Sequence, residues 1–275
     1  MPKFKSGKKK EKSISLPKIQ KPKFLKKLEW LDPFHYVDIF VIPRVKKVTD
    51  SELVEGVVNI VFALIFASLL YLILGLAFGV ASPLVIVYSE SMENTFFRGD
   101  VMGLTRVNPE MNFGDEIVLS ENIKNVPVEK YLSAEYFNGA NTPITKLIFN
   151  DGQEVIPTTE GSVVVYPSYP YGLPIIHRAI VKIKANDGTF LITKGDNKTT
   201  NFTYDQDCGE IDLLRLQPKS IGKGCITFYA VPIEDVQGVA FFRIPFVGCV
   251  KLWLVDDLVS LLATGKLPKD FKGIC

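Results

Sequence analysis

Residues 56–88 read GVVNIVFALIFASLLYLILGLAFGVASPLVIVY, a run of 33 residues without Asp, Glu, Lys or Arg. A bilayer core needs about 20 apolar residues in a helix. An isolated span must bond its own backbone, so a helix is the expected state. Gly79 and Pro83 predict a stop near the far interface. Leu84-Val85-Ile86-Val87-Tyr88 is short and β-branched, which suits a strand. The assignment is a transmembrane signal-anchor over residues 56–82, with the chain leaving the membrane at Tyr88. The run is too long for the hydrophobic part of a cleaved signal and follows too long a basic region.

Charge sets the expected orientation. Residues 1–50 carry 14 Lys and Arg against 5 Asp and Glu, a net +9, whereas the whole chain carries +2. Basic flanks stay on the cytoplasmic side. Residues 1–55 are therefore read as a basic cytoplasmic tail with an interfacial segment, and residues 88–275 as extracytoplasmic. The Lys-rich stretch through Lys27 cannot bury a core. It reads as a tether against the anionic headgroups of the lipid bilayer, not as a nucleic-acid binder.

Downstream, the pattern is mainly β. Residues 83–237 are expected to form one β-rich domain, with 107–160, rich in Asn, Pro and Gly, as an inserted piece. Gly161–Tyr166 reads as a buried strand. Ala179–Lys184 and Thr189–Thr193 flank Asn186-Asp187-Gly188, a hairpin turn. Residues 238–275 read as a C-terminal membrane-associated segment: Val239–Leu262 is strongly apolar but carries too many charges for a clean span, so an amphipathic helix is expected.

Just after the span comes Tyr88-Ser89-Glu90-Ser91-Met92-Glu93, then Arg98-Gly99-Asp100. Ser91 at a membrane surface is a candidate nucleophile. A Ser hydroxyl needs a base, and the base needs an orienting partner. The chain has two histidines. His35 precedes the span, so an external Ser91 can use only His177 as a histidine base. Lys194-Gly195-Asp196-Asn197 follows the hairpin, and strand pairing could return Asp196 to the neighbourhood of His177. Cys208, Cys225, Cys249 and Cys275 show no paired zinc spacing, so no metal and no cofactor is expected.

In order and content these boxes resemble the type I signal peptidase family, in its eukaryotic and archaeal branch. Ser82–Glu93 with Arg98–Asp100 resembles the nucleophile box, Gly161–Tyr166 the strand box, Ile175–Arg178 the box carrying His where bacterial members carry Lys, and Lys194–Asn197 the acidic box. Ile244–Gly248 resembles a C-terminal element. The resemblance covers roughly residues 60–106, 160–225 and 238–255. It implies a coiled, barrel-like antiparallel β catalytic domain behind one N-terminal transmembrane helix, and a serine endopeptidase that removes signal peptides after small residues at −1 and −3.

In that scheme Ser91 is the nucleophile and His177 the base, with Asp205 or Asp196 holding the imidazole. Ser89 and the Ser91 N–H form the oxyanion hole. Pro83, Val85, Val87 and Tyr88 on one side, and Ile175 and Ile176 on the other, bind the extended substrate. The implied partners are preprotein signal peptides and the protein-translocation channel. The implied location is the cell membrane of an archaeon, with the endoplasmic reticulum second.

The chain departs from the family pattern in three ways. Asn94 stands where Pro is usual, which predicts a looser turn. Ser91 and His177 lie 86 positions apart, hence the insertion. The family's second Asp would fall at Phe202, and Asp205 is taken as its equivalent after a three-residue insertion, ahead of Asp207. Rival readings are a Ser/Lys protease using Lys182 or Lys194, a self-cleaving repressor-like peptidase, and a non-catalytic membrane scaffold.

Overall fold

The computed structural model describes residues 31–138, 142–169, 172–208, 211–212, 217–218 and 225–266. The Lys-rich tail through Lys27 and the last residues to Cys275 lie outside the described residues. The contacts divide the chain into two units, residues 1–70 and 71–275.

In the first unit residues 33–45 are helical. Asp32 starts the helix, its carboxylate accepting from the Phe34 N–H at 2.9 Å. A carboxylate there satisfies one of the unpaired N–H groups that begin every helix. Phe34 meets Phe62 edge to face at 5.5 Å, and Lys46 pairs with Glu55 at 3.0 Å. Helix α1 (Glu52–Phe78) is 27 residues and has no buried residue. At 1.5 Å per residue it is about 40 Å long. Among the described residues it is the one helix long and apolar enough to cross a bilayer. It ends at Gly79, whose φ of +69° is the left-handed stop that glycine makes without strain.

The second unit is mainly β. Its principal sheet contains β1 (Leu84–Ile86), β2 (Val101–Thr105), β7 (Val163–Pro167), β8 (Pro174–Ala185), β9 (Gly188–Lys194), β12 (Val231–Pro232) and β13 (Gly238–Ile244), in the spatial order β1-β2-β13-β7-β8-β9-β12. All these pairs are antiparallel. β3 (Asp115–Val118) pairs in parallel with the rear half of β8. The β8–β9 hairpin turns at the predicted Asn-Asp-Gly. Register shifts fall at Ala240/Phe242 and at Ala179/Val181. An extra residue on one strand bends it and tightens the local twist.

The sheet does not close. β1 and β12 end the order, and no pairing among the described residues joins them. The antiparallel expectation holds for every pair of this sheet but β3 with β8, whereas the barrel-like one is corrected: β1, only three residues long, does not reach β12 and no barrel closes.

The C-terminal expectation is corrected as well. Gly238–Ile244 is not helical; β13 lies between β2 and β7, in the middle of the sheet. β13 is paired along both edges and is apolar even where it is exposed, at Phe241 and Ile244, so its sequence shows little alternation and reads like a helix segment. Helix begins only at Cys249 and runs through residues 249–264, with exposed Val250, Leu254 and Leu262.

Residues 107–160 hold β3 and a three-stranded sheet of β4 (Leu132–Tyr136), β5 (Ile144–Phe149) and β6 (Glu154–Val155). They are β-rich, as expected, but they are not a separate body. Leu132, Leu147 and Phe149 share one core with Ile180, Ile183 and Phe190 of the β8–β9 hairpin.

A disulfide joins Cys208 to Cys225, 17 positions apart. It holds residues 225–227 close to Asp205, whose carbonyl accepts from the N–H groups of Ile226 (2.8 Å) and Thr227 (3.2 Å). A crosslink over a loop of this size typically contributes about 3 kcal/mol by restricting the unfolded chain. Replacing both cysteines by Ser should therefore lower the melting temperature of the β domain. Calorimetry on the two proteins without reductant checks this, and equal melting temperatures would contradict it.

Candidate active site

The turn that carries Ser91 is built by local bonds. The N–H groups of Glu93 and Thr95 donate to Glu90 O and Met92 O, both at 3.0 Å. Met92 is buried against Val87, Met102 and Val163, which anchors the turn to the sheet. Asn94 sits at φ +79°. Asn tolerates the left-handed region because its short polar side chain bonds locally. Proline cannot adopt that angle, its φ being locked near −65°. The residue expected to loosen the turn is thus one that this backbone accepts where the family's usual Pro would not fit.

Asp100 braces the turn from behind. It is fully buried and accepts from Phe97 N–H at 2.8 Å, Phe246 N–H at 3.1 Å and Arg243 Nε at 3.1 Å. The Arg-Gly-Asp element therefore ties the nucleophile turn to the Ile244–Gly248 element, a link that neither box reveals alone.

β8 presents His177, which is 2 % exposed. Its Nε2 lies 2.8 Å from Ser91 Oγ, and its Nδ1 lies 2.7 Å from Asp205 Oδ2. With Asp205 ionised, Nδ1 carries the proton, and Nε2 is left to accept from the Ser91 hydroxyl. Ser89 Oγ stands 2.9 Å from Ser91 Oγ and, in this arrangement, donates to it. The Ser91 N–H has no partner among the described residues. Nucleophile, base and orienting acid stand in line, with the unpartnered Ser91 N–H and the Ser89 hydroxyl beside the nucleophile. That arrangement can carry out acyl transfer.

Burial alone would raise the Asp205 carboxyl. The His177 charge and the hydrogen bonds from His177 and Tyr166 outweigh burial and hold it below the ordinary carboxylate range.

Of the three candidate acids, only Asp205 reaches His177. Asp196 instead accepts from Arg178 Nε at 2.8 Å and Nη2 at 2.6 Å, and from Thr95 Oγ1 at 2.5 Å. It therefore clamps the residue after His177 to the turn after Ser91. Asp207 accepts from Tyr136 at 2.6 Å and Thr203 at 2.8 Å, away from the imidazole. The rival bases are engaged elsewhere. Lys182 bonds Pro109 O and Glu116, and Lys194 bonds Gly195 O. Burial pushes the Lys194 ammonium down, against the pull of Asp205 and Asp196.

Asn197 closes the acidic box onto the nucleophile. Its N–H donates to Ser91 O at 2.9 Å and its side-chain amide to Glu90 O at 2.8 Å. Thr199 occupies the amide oxygen, so this apparent glycosylation sequon is committed to the fold. The approach needs Gly195, where a Cβ would sit 2.6 Å from Ser91 O.

A groove of about 490 Å³ opens over Ser91. Val85, Val87, Tyr88, Ile175 and Ile176, the residues assigned to substrate in the sequence, line it. Pro83 does not line it; it is buried, with its carbonyl bonded to Leu104 N–H. Met92, Val165, Asn201 and Ile226 also line the groove and were not anticipated. Ile226 reaches it through the disulfide-held segment, which no local pattern foretells. At the rim Lys251 donates to Tyr88 OH at 2.8 Å, joining the C-terminal helical segment to the groove wall.

No family model matches the chain. Among curated proteins it is 28 % identical over 202 residues to the signal peptidase complex catalytic subunit sec11 of Schizosaccharomyces pombe, covering 73 % of this chain and 82 % of the relative. The protein of the same name from Neurospora crassa is 26 % identical over 66 % of this chain and 72 % of the relative. The SEC11 protein of Saccharomyces cerevisiae strain RM11-1a is 27 % identical over 39 % of this chain and 75 % of the relative. The resemblance carried by the four sequence boxes thus extends over most of the chain.

Two outcomes test the bracing. Asp196→Asn leaves Arg178 without a counter-charge and should cost about 3 kcal/mol of stability, read as a lower denaturant midpoint. Asn94→Gly should be nearly neutral, whereas Asn94→Pro should cost more than about 1 kcal/mol; equal melting of the two would refute the left-handed turn. Because the Asp205 carboxyl titrates lower when folded, it stabilises the fold above its unfolded value of about 3.9. That contribution is lost as pH falls through the folded value. Asp205→Asn should therefore flatten the acid side of the stability–pH curve, measured by melting from pH 2 to 7.

Proposed function

We propose that this chain is the catalytic subunit of a signal peptidase, a membrane-anchored serine endopeptidase that removes signal peptides from preproteins. The observation that carries the reading is the Ser91–His177–Asp205 line at 2.8 and 2.7 Å, in a groove over the nucleophile. The sequence relatives named for the same activity support it.

Acyl transfer would run as follows. Ser91 Oγ attacks the scissile carbonyl while His177 Nε2 takes its proton. The developing oxyanion accepts from the Ser91 N–H and the Ser89 hydroxyl. Donors of this kind are typically worth about 3–4 kcal/mol in the transition state. His177 returns the proton to the leaving amine, and Asp205 stabilises the imidazolium meanwhile. Water, deprotonated by the same imidazole, then releases the signal peptide from Ser91.

Strand addition explains how substrate binds. Among the described residues β1 pairs only with β2, and the front of β8, before Arg178, pairs only with β7. Two strand edges are left facing the groove, and an extended peptide can bond to both. Away from the catalytic groups the walls are mostly Val, Ile and Met, with Tyr88 and Asn201 the polar exceptions, which suits small apolar residues at −1 and −3 over charged ones. Burial lowers the Lys194 ammonium, as a lysine base would need, but Lys194 bonds Gly195 O and Lys182 bonds Pro109 O and Glu116, whereas it is His177 that bonds Ser91; a spent scaffold would have no reason to hold an aligned Ser–His–Asp line.

The anchor is α1, with the basic N-terminus on the cytoplasmic side and the exposed apolar residues of 249–264 resting at the membrane surface. The archaeal cell membrane, expected first, gains no support from the relatives named above, which are fungal. The endoplasmic reticulum membrane takes its place in the proposal, with a signal peptidase complex and the translocation channel as neighbours.

Two experiments test this reading. Ser91→Ala in detergent-solubilised protein should cut preprotein cleavage below about a hundredth of wild type, with an unchanged melting curve, since loss of a triad member typically costs 10⁴-fold or more. Retained cleavage would sink covalent catalysis at Ser91. In sealed vesicles with the cytoplasmic face outward, added protease should trim an N-terminal tag and spare the β domain. The reverse pattern would overturn the orientation.

A further inference from the structure

Beyond Ser91, His177 and Asp205 the site contains a buried polar chain with no part in the scheme above. Asp205 Oδ2 receives two donors, His177 Nδ1 and the Tyr166 hydroxyl, each at 2.7 Å. Asp205 Oδ1 is buried and has no hydrogen-bond partner among the described residues. The aim of the carboxylate therefore depends on what holds the one oxygen. Tyr166 lies on β7 and is fully buried; its ring packs in a cluster with Phe113, Val164 and Leu191. Packing fixes the ring, and the ring fixes the hydroxyl.

The direction of every bond follows from the donor inventory. Tyr166 OH accepts from Thr193 Oγ1 at 2.9 Å. Its single proton is thus free for Asp205. Thr193 Oγ1 in turn accepts from Gln206 Nε2 at 3.2 Å, and Gln206 Oε1 accepts from Thr193 N–H at 3.3 Å. Thr193 and Gln206 are both fully buried. A buried phenol or amide costs free energy unless bonded, and here each is bonded in the one sense that ends on Asp205. Burial, and after it the Asp205 charge, pushes the Tyr166 phenol far up, so it stays a neutral donor throughout the working range.

We propose that Tyr166 is the positioning residue of the Asp205 carboxylate, backed by Thr193 and Gln206, and that it tunes His177 by sharing the oxygen on which the imidazole leans. This rests on the Ser91–His177–Asp205 reading. A carboxylate that gives part of its accepting capacity to Tyr166 stabilises the imidazolium less. Without that hydroxyl, Oδ2 would bind the imidazolium more strongly and would also be free to rotate. The other charges near this pair are Lys194 on β9 and the Arg178–Asp196 pair. They are the same in wild type and in a hydroxyl deletion, so a difference between the two reports the hydroxyl.

The test uses the full chain in detergent micelles and Tyr166→Phe, which keeps the packed ring. Only His35 and His177 contribute histidine signals. The His177 imidazole, followed by NMR, should titrate about half a pH unit or more higher in Tyr166→Phe, since loss of a hydrogen bond to a carboxylate shifts its partner on that scale. On a preprotein substrate, kcat should fall about tenfold with KM within twofold, and the acid limb of the rate profile should move with the NMR midpoint. Thr193→Val should shift both in the same direction by less, and Thr193→Ser should restore them. A folded Tyr166→Phe with an unmoved His177 midpoint overturns the proposal. If Tyr166→Phe fails to fold, Thr193→Val decides: a shift supports the proposal and none overturns it. The NMR midpoint needs no turnover. A wild-type protein that cleaves nothing but shows the shift would defeat the peptidase reading and leave the positioning role intact.

Discussion

The site depends on the way β8 is paired. Its front half bonds to β7 in the register that sets His177 opposite Val164, and its rear half bonds to β9 and β3. Arg178, the next residue, grips Asp196, and Asp196 grips Thr95. The turn carrying Ser91 is therefore held beside the imidazole by the strand that bears the imidazole. A one-residue slip in this pairing would send His177 to the other face, and no loop adjustment could bring Ser91 after it.

Around that strand two carboxylates divide the work by environment. Asp205 is surrounded by neutral donors and one imidazole, so its charge is available to His177. Asp196 is neutralised by a bidentate guanidinium, geometry that fixes position and leaves little charge to spare. Both sit in acidic stretches after the same hairpin, and they differ only in what meets them in space. Asp100 is a third buried carboxylate, spent wholly on joining the nucleophile turn to Phe246 and Arg243.

What the sequence made legible was what local pattern can encode. The long apolar helix was a matter of composition and length, and the hairpin had its Asn-Asp-Gly. Ser91 and His177 followed from position relative to the span and from the scarcity of histidine. The three acids were ranked, with Asp205 first, by resemblance to the family and not by local pattern, because the choice depends on how the segment from Asn197 to Asp205 folds back over β9. Tyr166 read as one more buried strand residue; its hydroxyl acquires meaning only when Asp205 arrives from 39 positions away. β13 was mistaken for helix because a central strand has no polar face to show a period of two. Asn94 looked like a defect in a motif, whereas its backbone angle rules out the usual residue.

The Cys208–Cys225 bridge has a consequence for the timing of maturation. Thiols stay apart in a reducing compartment and join in an oxidising one. The segment they fasten carries Ile226 into the groove and donates to the Asp205 carbonyl. A newly made chain on the reducing side of the membrane would lack that fastening, and its acid and one groove wall would be loosely held. Oxidation after crossing would complete both together. The crosslink would then act as a safety catch, keeping a protease with an extended-peptide groove immature among nascent chains it has no business cutting.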